Sequence, residues 1–498
     1  MAFALANVAV TLLFVVVLLS GSAVQGISQP SVREIVKNRL IAGFKEGCNP
    51  QETSLHSLQQ AVRTAYVDLQ RREGKKTEVS SALVLNVHET SSEDYTTYSR
   101  TQTLFQLQLS EYGGYRLSSL NLNSIQTNTC IINQQHLKKV GVSVVSVTDC
   151  PLVAAEMDAA LTAFRENSCV AFVEKDSIQN LYPIFEGPPI DEAAMRSTLA
   201  SGGGTLPYWL EVASVDRAWK LSQCDREVVV GVVDTGVAIE HPDLSGNIWR
   251  NEYEVPGNGI DDDRNGYIDD INGYDFYLKR AQLTDPHGHG THCAGIIGAT
   301  PNTTTAQGVC KKISIAGLRF LDDNGSGATS DSIEAINYSI EMDFHLTSNS
   351  WGGPDVSSGL LQSIKRANDI DQLLISASGN SGNNADIRPE YPGAYKVDNI
   401  ISVAATDEHD RLANFSNYGV NAVHIAAPGV FIISTFPPNT IKSLSGTSMA
   451  TPVVSGIAAM LLSLRPMRVQ EIKEIIFTTA DKPRTLKVFF SLFVSLVG

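Results

Sequence analysis

From residue 200 onward the sequence repeats one pattern: a short unbroken apolar run, a small or polar residue where it stops, then a stretch with helical spacing. The runs read EVVVGVVDTG (227–236), ISIAGLRFL (313–321), LLISASGN (373–380) and IISVAAT (400–406). A run that does not alternate with polar residues fits a strand covered on both faces, as in parallel sheets. Strands taking turns with helices predict an α/β fold, a mostly parallel sheet with helices packed on it. Such sheets hold their ligands beyond the C-terminal strand ends. Asp234, Asp322 and Asn380 fall at those ends.

The chemistry gathers at four positions. In SLSGTSMATPVVSGIAAMLLS (443–463), Val453, Ile457, Met460 and Leu461 recur at helical spacing, and Pro452 suits a first helical turn, where its missing N–H loses nothing. A helix is therefore expected to start near Ser448, which stands either as its cap or as a nucleophile facing the positive end of the helix dipole. His289 sits in HGHGTHCAGIIG between Gly288 and Gly290, and a buried carboxylate such as Asp234 would fix its tautomer. The flanking His287 and His292 suggest a metal site, but no HExxH or CxxC accompanies them. The DTG at Asp234 also occurs in aspartic proteases, yet no second DTG or DSG exists to complete a dyad. Asn380, in SASGNSG, is either a turn residue or an amide able to donate to an oxyanion.

The remaining composition sets the context. A formal net charge of −15 without a basic stripe argues against a nucleic-acid partner. Residues 8–19 are almost wholly apolar and lead into small residues through Gly26, which predicts a secretory signal over 1–26. The first basic residue is Arg33, and with residues 2–6 the run approaches the length of a membrane span, so an uncleaved anchor is the alternative. Seven cysteines leave at least one thiol without an internal partner. Sequons stand at Asn302, Asn324, Asn337 and Asn414. Residues from about 31 to 200 mix helical and strand-like patterns such as VGVSVVSV (140–147). The SGGGT at 201–205 then reads as a flexible joint.

The order aspartate, histidine, serine is that of subtilisin. With VVDTGVAIEHPDL, GHGTHCAGIIGA, SNSWGGP, SASGN, HIAAPG and SGTSMATP in sequence, the chain resembles the subtilisin-like serine proteases over roughly residues 206–480. The resemblance implies a three-layer sandwich over 205–498. It also implies a pro-region over 27–204, its inhibitor-like α+β unit lying at about 80–200. Ser448 would be the nucleophile, His289 the base, Asp234 its orienting acid and Asn380 an oxyanion donor. Ser350, Trp351 and Gly352 on one side, and Gly325, Ser326 and Gly327 on the other, would clamp the substrate backbone. The expected protein is a monomeric, secreted, autoprocessed endopeptidase acting on proteins or peptides and held by its own pro-region. A membrane-anchored processing protease and a catalytically silent binding module of the same fold are the rivals. No catalytic residue is missing, which disfavours the latter. The last residues, RTLKVFFSLFVSLVG, depart from the family pattern, in an apolar run too short to span a bilayer.

One acidic loop, NGIDDDRNGYIDDINGYDF (258–276), carries Asp261, Asp263 and Asn265 before Gly266, the spacing that wraps a hard cation. Position twelve of a full loop of that kind is Asn272 rather than glutamate, so Asp269 or Asp270 would have to complete a shorter one. Calcium held by Asp261, Asp263, Asn265 and Asp269 is the expectation, because so many carboxylates repel one another without a cation.

Overall fold

The computed structural model describes residues 153–191 and 206–483 without a break, parts of 39–148, and the single positions 193 and 486. The expected signal segment, the glycine joint and the apolar tail after Leu486 lie outside the described residues.

Seven strands form one parallel sheet in the order Gly273–Asp275, Ser314–Arg319, Val229–Asp234, Leu346–Asn349, Leu373–Ala377, Ile400–Thr406, Ile425–Pro428. The first of these in the chain, Val229–Asp234, is third in the sheet. The chain next lays down the edge strand Gly273–Asp275, returns to fill the place between with Ser314–Arg319, and then crosses to the other side, which makes the C-terminal end of Val229–Asp234 a topological switch point. Asp234 ends that strand.

The apolar runs serve two cores at once. Val230 and Val232 pack on one face with Ile296, Ile375, Ile401 and Val453. Val233, Leu374 and Ile400 pack on the other with Ile336, Phe344 and Ile364. Adjacent residues thus point to opposite layers and both are buried, which is why the runs show no polar alternation. Helices His289–Gly298 and Thr447–Leu464 cover the first face, and Thr329–Glu341 and Ser358–Asp369 the second. This is the α/β three-layer sandwich expected of the sequence.

A smaller unit precedes it. Its six-stranded sheet runs Leu83–Asp94, Tyr98–Leu109, Thr129–Leu137, Val142–Thr148, Arg39–Phe44, Val170–Lys175, with the helix Val153–Glu166. Arg39–Phe44 pairs antiparallel with strands on both sides, so the unit starts well before the expected residue 80. Two of its carboxylates reach into the larger unit. Glu174 accepts from the backbone N–H of Ser358 at 2.8 Å and of Gly359 at 3.1 Å, capping helix Ser358–Asp369. Asp176 accepts from the N–H of Ser330 at 3.0 Å, near the start of helix Thr329–Glu341. Carboxylates at helix N-termini satisfy donors that have no partner within the helix.

Cys48 bonds Cys169, and Cys224 bonds Cys310, while Cys293 is free and buried. Asn302, Asn324 and Asn414 are exposed, but Asn337 lies on a helix with no accessible surface, which removes it as a glycan acceptor in the folded chain.

Candidate active site

Asp234, His289, Asn380 and Ser448 converge at the C-terminal edge of the sheet. His289 opens a helix whose N-cap is Gly288, in the left-handed region at φ 90° with no side-chain cap of its own. Nδ1 of His289 lies 2.7 Å from Oδ1 of Asp234, and both side chains are sealed from solvent. Burial alone would lower the His289 pKa, but the Asp234 carboxylate holds it well above its ordinary value of 6.5. Cys293 lies 3.9 Å from the same ring nitrogen; burial pushes its thiol up and keeps it protonated, so Asp234 is the charge that His289 senses. The His289 Nε2 makes no hydrogen bond among the described residues and is the free end of the pair.

The pair is held from below by Asp285, which the sequence reading passed over. Asp285 accepts from Thr235 Oγ1 and Gly288 N–H at 2.8 Å each, and from Thr291 N–H at 2.8 Å and Oγ1 at 2.6 Å. Thr235 Oγ1 in turn accepts from Gly290 N–H at 3.0 Å. One buried carboxylate thus ties the strand end carrying Asp234 to the helix start carrying His289. An acid four residues before the histidine, just ahead of a helix, was the available signal.

Ser448 is the second residue of helix Thr447–Leu464, behind an N-cap at Gly446. Pro452 therefore stands in the second turn, not the first as its spacing suggested. There it withholds the amide hydrogen that the Ser448 carbonyl would accept. Ser350 Oγ donates to that carbonyl at 3.0 Å and Cys293 Sγ at 3.4 Å in its place. Ser448 Oγ donates to the Ser350 carbonyl at 3.2 Å.

Asn380 is locked by its oxygen. Oδ1 accepts from Thr447 N–H at 2.9 Å and Thr447 Oγ1 at 2.8 Å, which turns Nδ2 outward. Nδ2 donates at 2.9 Å to the carbonyl of Pro183, a residue of the chain itself. Pro183 belongs to a segment that runs through the whole site. Strand Ile178–Leu181 lies antiparallel between Ser326–Ala328 and Trp351–Gly352, with Asn180 opposite both Ser326 and Gly352 and Leu181 opposite Trp351. The N–H of Leu181 donates to the Gly325 carbonyl at 2.8 Å. Beyond Pro183, Phe185 and Glu186 pair with Ser445 and Leu444. The two segments expected to hold a substrate pair here with residues 178–181 of the chain itself, while Ser350 touches Ser448 instead. Of the flanking histidines, His292 faces the Lys442 carbonyl at 3.0 Å from its Nε2.

The acidic loop is arranged differently from its expected ligand set. The acids whose oxygens converge are Glu254, Asp263 and Asp270. Asp269 is turned back to accept from the N–H groups of Asn258 at 3.2 Å and Gly259 at 3.0 Å. Asp261 accepts from Asn265 at 3.0 Å and Gly266 at 2.8 Å. Asn265 points its amide nitrogen, not its oxygen, to Asp270 at 2.9 Å. Only Asp263 of the four expected ligands is in the cluster. Burial, with Asp263 and Glu254 close by, pushes Asp270 up to about 7.

Residues 225–492, more than half of the chain, match the model of the subtilase family. The chain is 38% identical over 276 residues to thermitase of Thermoactinomyces vulgaris, which covers 55% of this chain and 88% of thermitase. Identity to subtilisin DY of Bacillus licheniformis is 34% over 263 residues, or 53% of this chain and 86% of that protein. Subtilisin-like protease 2 of Plasmodium falciparum is 36% identical over 260 residues, which spans 51% of this chain but 18% of that longer protein.

Proposed function

The chain belongs to the subtilase family and is a serine endopeptidase acting on peptides, and on that premise we propose that Asp234, His289 and Ser448 are its catalytic triad and that it is a secreted precursor which processes itself. Ser448 Oγ attacks the carbonyl carbon of the peptide bond, and His289 Nε2, free to accept, takes its proton. Asp234 keeps the proton of the imidazole on Nδ1 and stabilises the imidazolium that forms. The charge on the former carbonyl oxygen is met by Asn380 Nδ2 and the backbone N–H of Ser448. Collapse of the tetrahedral species breaks the C–N bond, and the leaving amine takes its proton from His289. Water then follows the same path to release the acyl group. Ser448 Oγ must turn from the Ser350 carbonyl toward His289 for the first step.

The observation that carries this reading is the hydrogen bond from Asn380 to Pro183, in a peptide paired on both sides of the site. Residues up to 204 are then a pro-region that occupies the cleft as a substrate would, through strand pairing, and slows the enzyme until it is degraded. The helix caps from Glu174 and Asp176 add affinity outside the cleft. Calcium is a structural ion in the acidic loop. Glu254 and Asp270, both buried, and the half-buried Asp263 offer the all-oxygen, mutually repelling set that a hard cation relieves, and these residues would hold it.

Labelling of the purified protein with a serine-directed phosphonate tests the assignment. Label on Ser448 is expected, and none in Ser448→Ala. Peptide hydrolysis or self-processing that persists in purified Ser448→Ala overturns it.

A further inference from the structure

Past the Pro183 carbonyl, the chain's own residues 185–187 lie in a groove that meets each of them differently. Phe185 stacks on Phe415 with ring centroids 4.9 Å apart and planes 26° from parallel. Glu186 accepts from Lys442 Nζ at 2.5 Å, and the same ammonium lies 4.8 Å from the centre of the Phe436 ring. Gly187 donates its N–H to the Ser443 carbonyl at 2.7 Å, and a Cβ at Gly187 would fall 2.2 Å from the buried Ser443 Oγ. The backbone of the segment is fixed against strand Thr440–Ser445, so the three residues hold a set register. Core packing does not require them: Phe185 is 44% exposed, and the Glu186 side chain 69% exposed.

We propose that Phe415, Lys442 and Ser443 form a leaving-side recognition groove for peptides bearing an aromatic residue, then an acidic residue, then glycine. These stand two, three and four positions beyond the carbonyl that Asn380 holds. The inference rests on the peptidase reading above and extends it to a substrate class. The stacking partner rewards a flat ring, the ammonium rewards a carboxylate, and Ser443 excludes any side chain at the third position. An exposed ion pair and a half-exposed ring pair contribute modestly, on the order of 2- to 10-fold in affinity each. The glycine requirement is steric and is the stricter of the three.

The test uses protein expressed from the full-length chain, in whatever processed form it takes, and the decapeptide IQNLYPIFEG of residues 178–187. Competition is measured against a fluorogenic peptide that ends before these positions, and direct binding by anisotropy of the labelled decapeptide. Peptides with Ala for Phe185, Lys for Glu186 or Ala for Gly187 are expected to bind more weakly, by about 2- to 10-fold for the first two. The Glu186 effect should shrink as salt is added. In Lys442→Glu protein the order inverts, and the Lys-bearing peptide binds better than the parent. If Lys442→Glu ranks the peptides as the unaltered protein does, or if the parent binds no better than a scrambled decapeptide, the groove is overturned. Failure to hydrolyse the fluorogenic peptide overturns the peptidase reading instead, and the anisotropy ranking still decides the groove.

Discussion

Pro452 stands four residues after Ser448 on one helix, and the carbonyl of Ser448 is answered by Ser350 and Cys293 where a main-chain amide would otherwise have been. Ser350→Ala should therefore cost about 1 kcal/mol of stability, the worth of an ordinary buried hydrogen bond. In a Pro452→Ala background the new amide can serve the carbonyl, and the cost of Ser350→Ala should fall. Thermal unfolding of the two single variants and the double variant gives the coupling; additive losses would show that the two residues do not share that carbonyl.

The pH profile follows from His289. Only the neutral imidazole accepts the proton of Ser448, and Asp234 holds the imidazole pKa above 6.5, so the protonated form persists to higher pH. kcat/KM should rise through an apparent pKa above 6.5 and be low in acid. Asp234→Asn removes the charge that raises the pKa. It should move the acid limb to lower pH while cutting kcat by about 10,000-fold, through loss of the correct tautomer. An unmoved acid limb in Asp234→Asn would assign the titration to another group.

Asn380→Ala should lower kcat by about 100- to 1,000-fold with little change in KM, because its hydrogen bond strengthens as charge develops on the oxygen. His289→Ala combined with Ser448→Ala should be no worse than either alone, since the two act as one unit. Steady-state kinetics read both.

Calcium chelation should lower the melting temperature, by an amount set by the ratio of ion concentration to dissociation constant. Asp270→Asn and Asp263→Ala should shrink the chelator effect, whereas Asp269→Ala should leave most of it. A full loss in Asp269→Ala with the chelator effect intact in Asp270→Asn would return the ligand set to the one the loop spacing suggested.

Mass spectrometry of the active form should find its N-terminus between residues 182 and 206. Glu174→Ala should weaken retention of the cut segment, since helix Ser358–Asp369 loses its outside cap. An N-terminus upstream of residue 150 would reject the pro-region reading.

The sheet was legible because strands buried on both faces cannot afford polar alternation, so Val229–Asp234 declared itself. Asp234, His289, Asn380 and Ser448 were legible as well, each set in a glycine-rich or helix-opening stretch where a backbone must come close. What escaped is what depends on distant pairing. Arg39–Phe44 is six residues of ordinary composition that become a strand only between two partners more than 90 positions away. Asp285 resembles any helix-opening acid until Thr235 is brought beside it. In the acidic loop the spacing located the carboxylates but not their direction. Glu254 enters from before the motif, and Asp269, at a positive φ of 54°, turns away from it.

Because the peptide lying in the cleft and the cleft itself are one chain, their association has no dependence on how many molecules a compartment holds. Tethered segments act at an effective concentration in the millimolar range for short flexible links, which no dilution alters. Once the chain is cut between them, the same contacts become a bimolecular equilibrium that dilution pulls apart. On the proposed pro-region reading, dilution after such a cut would then be what empties the cleft.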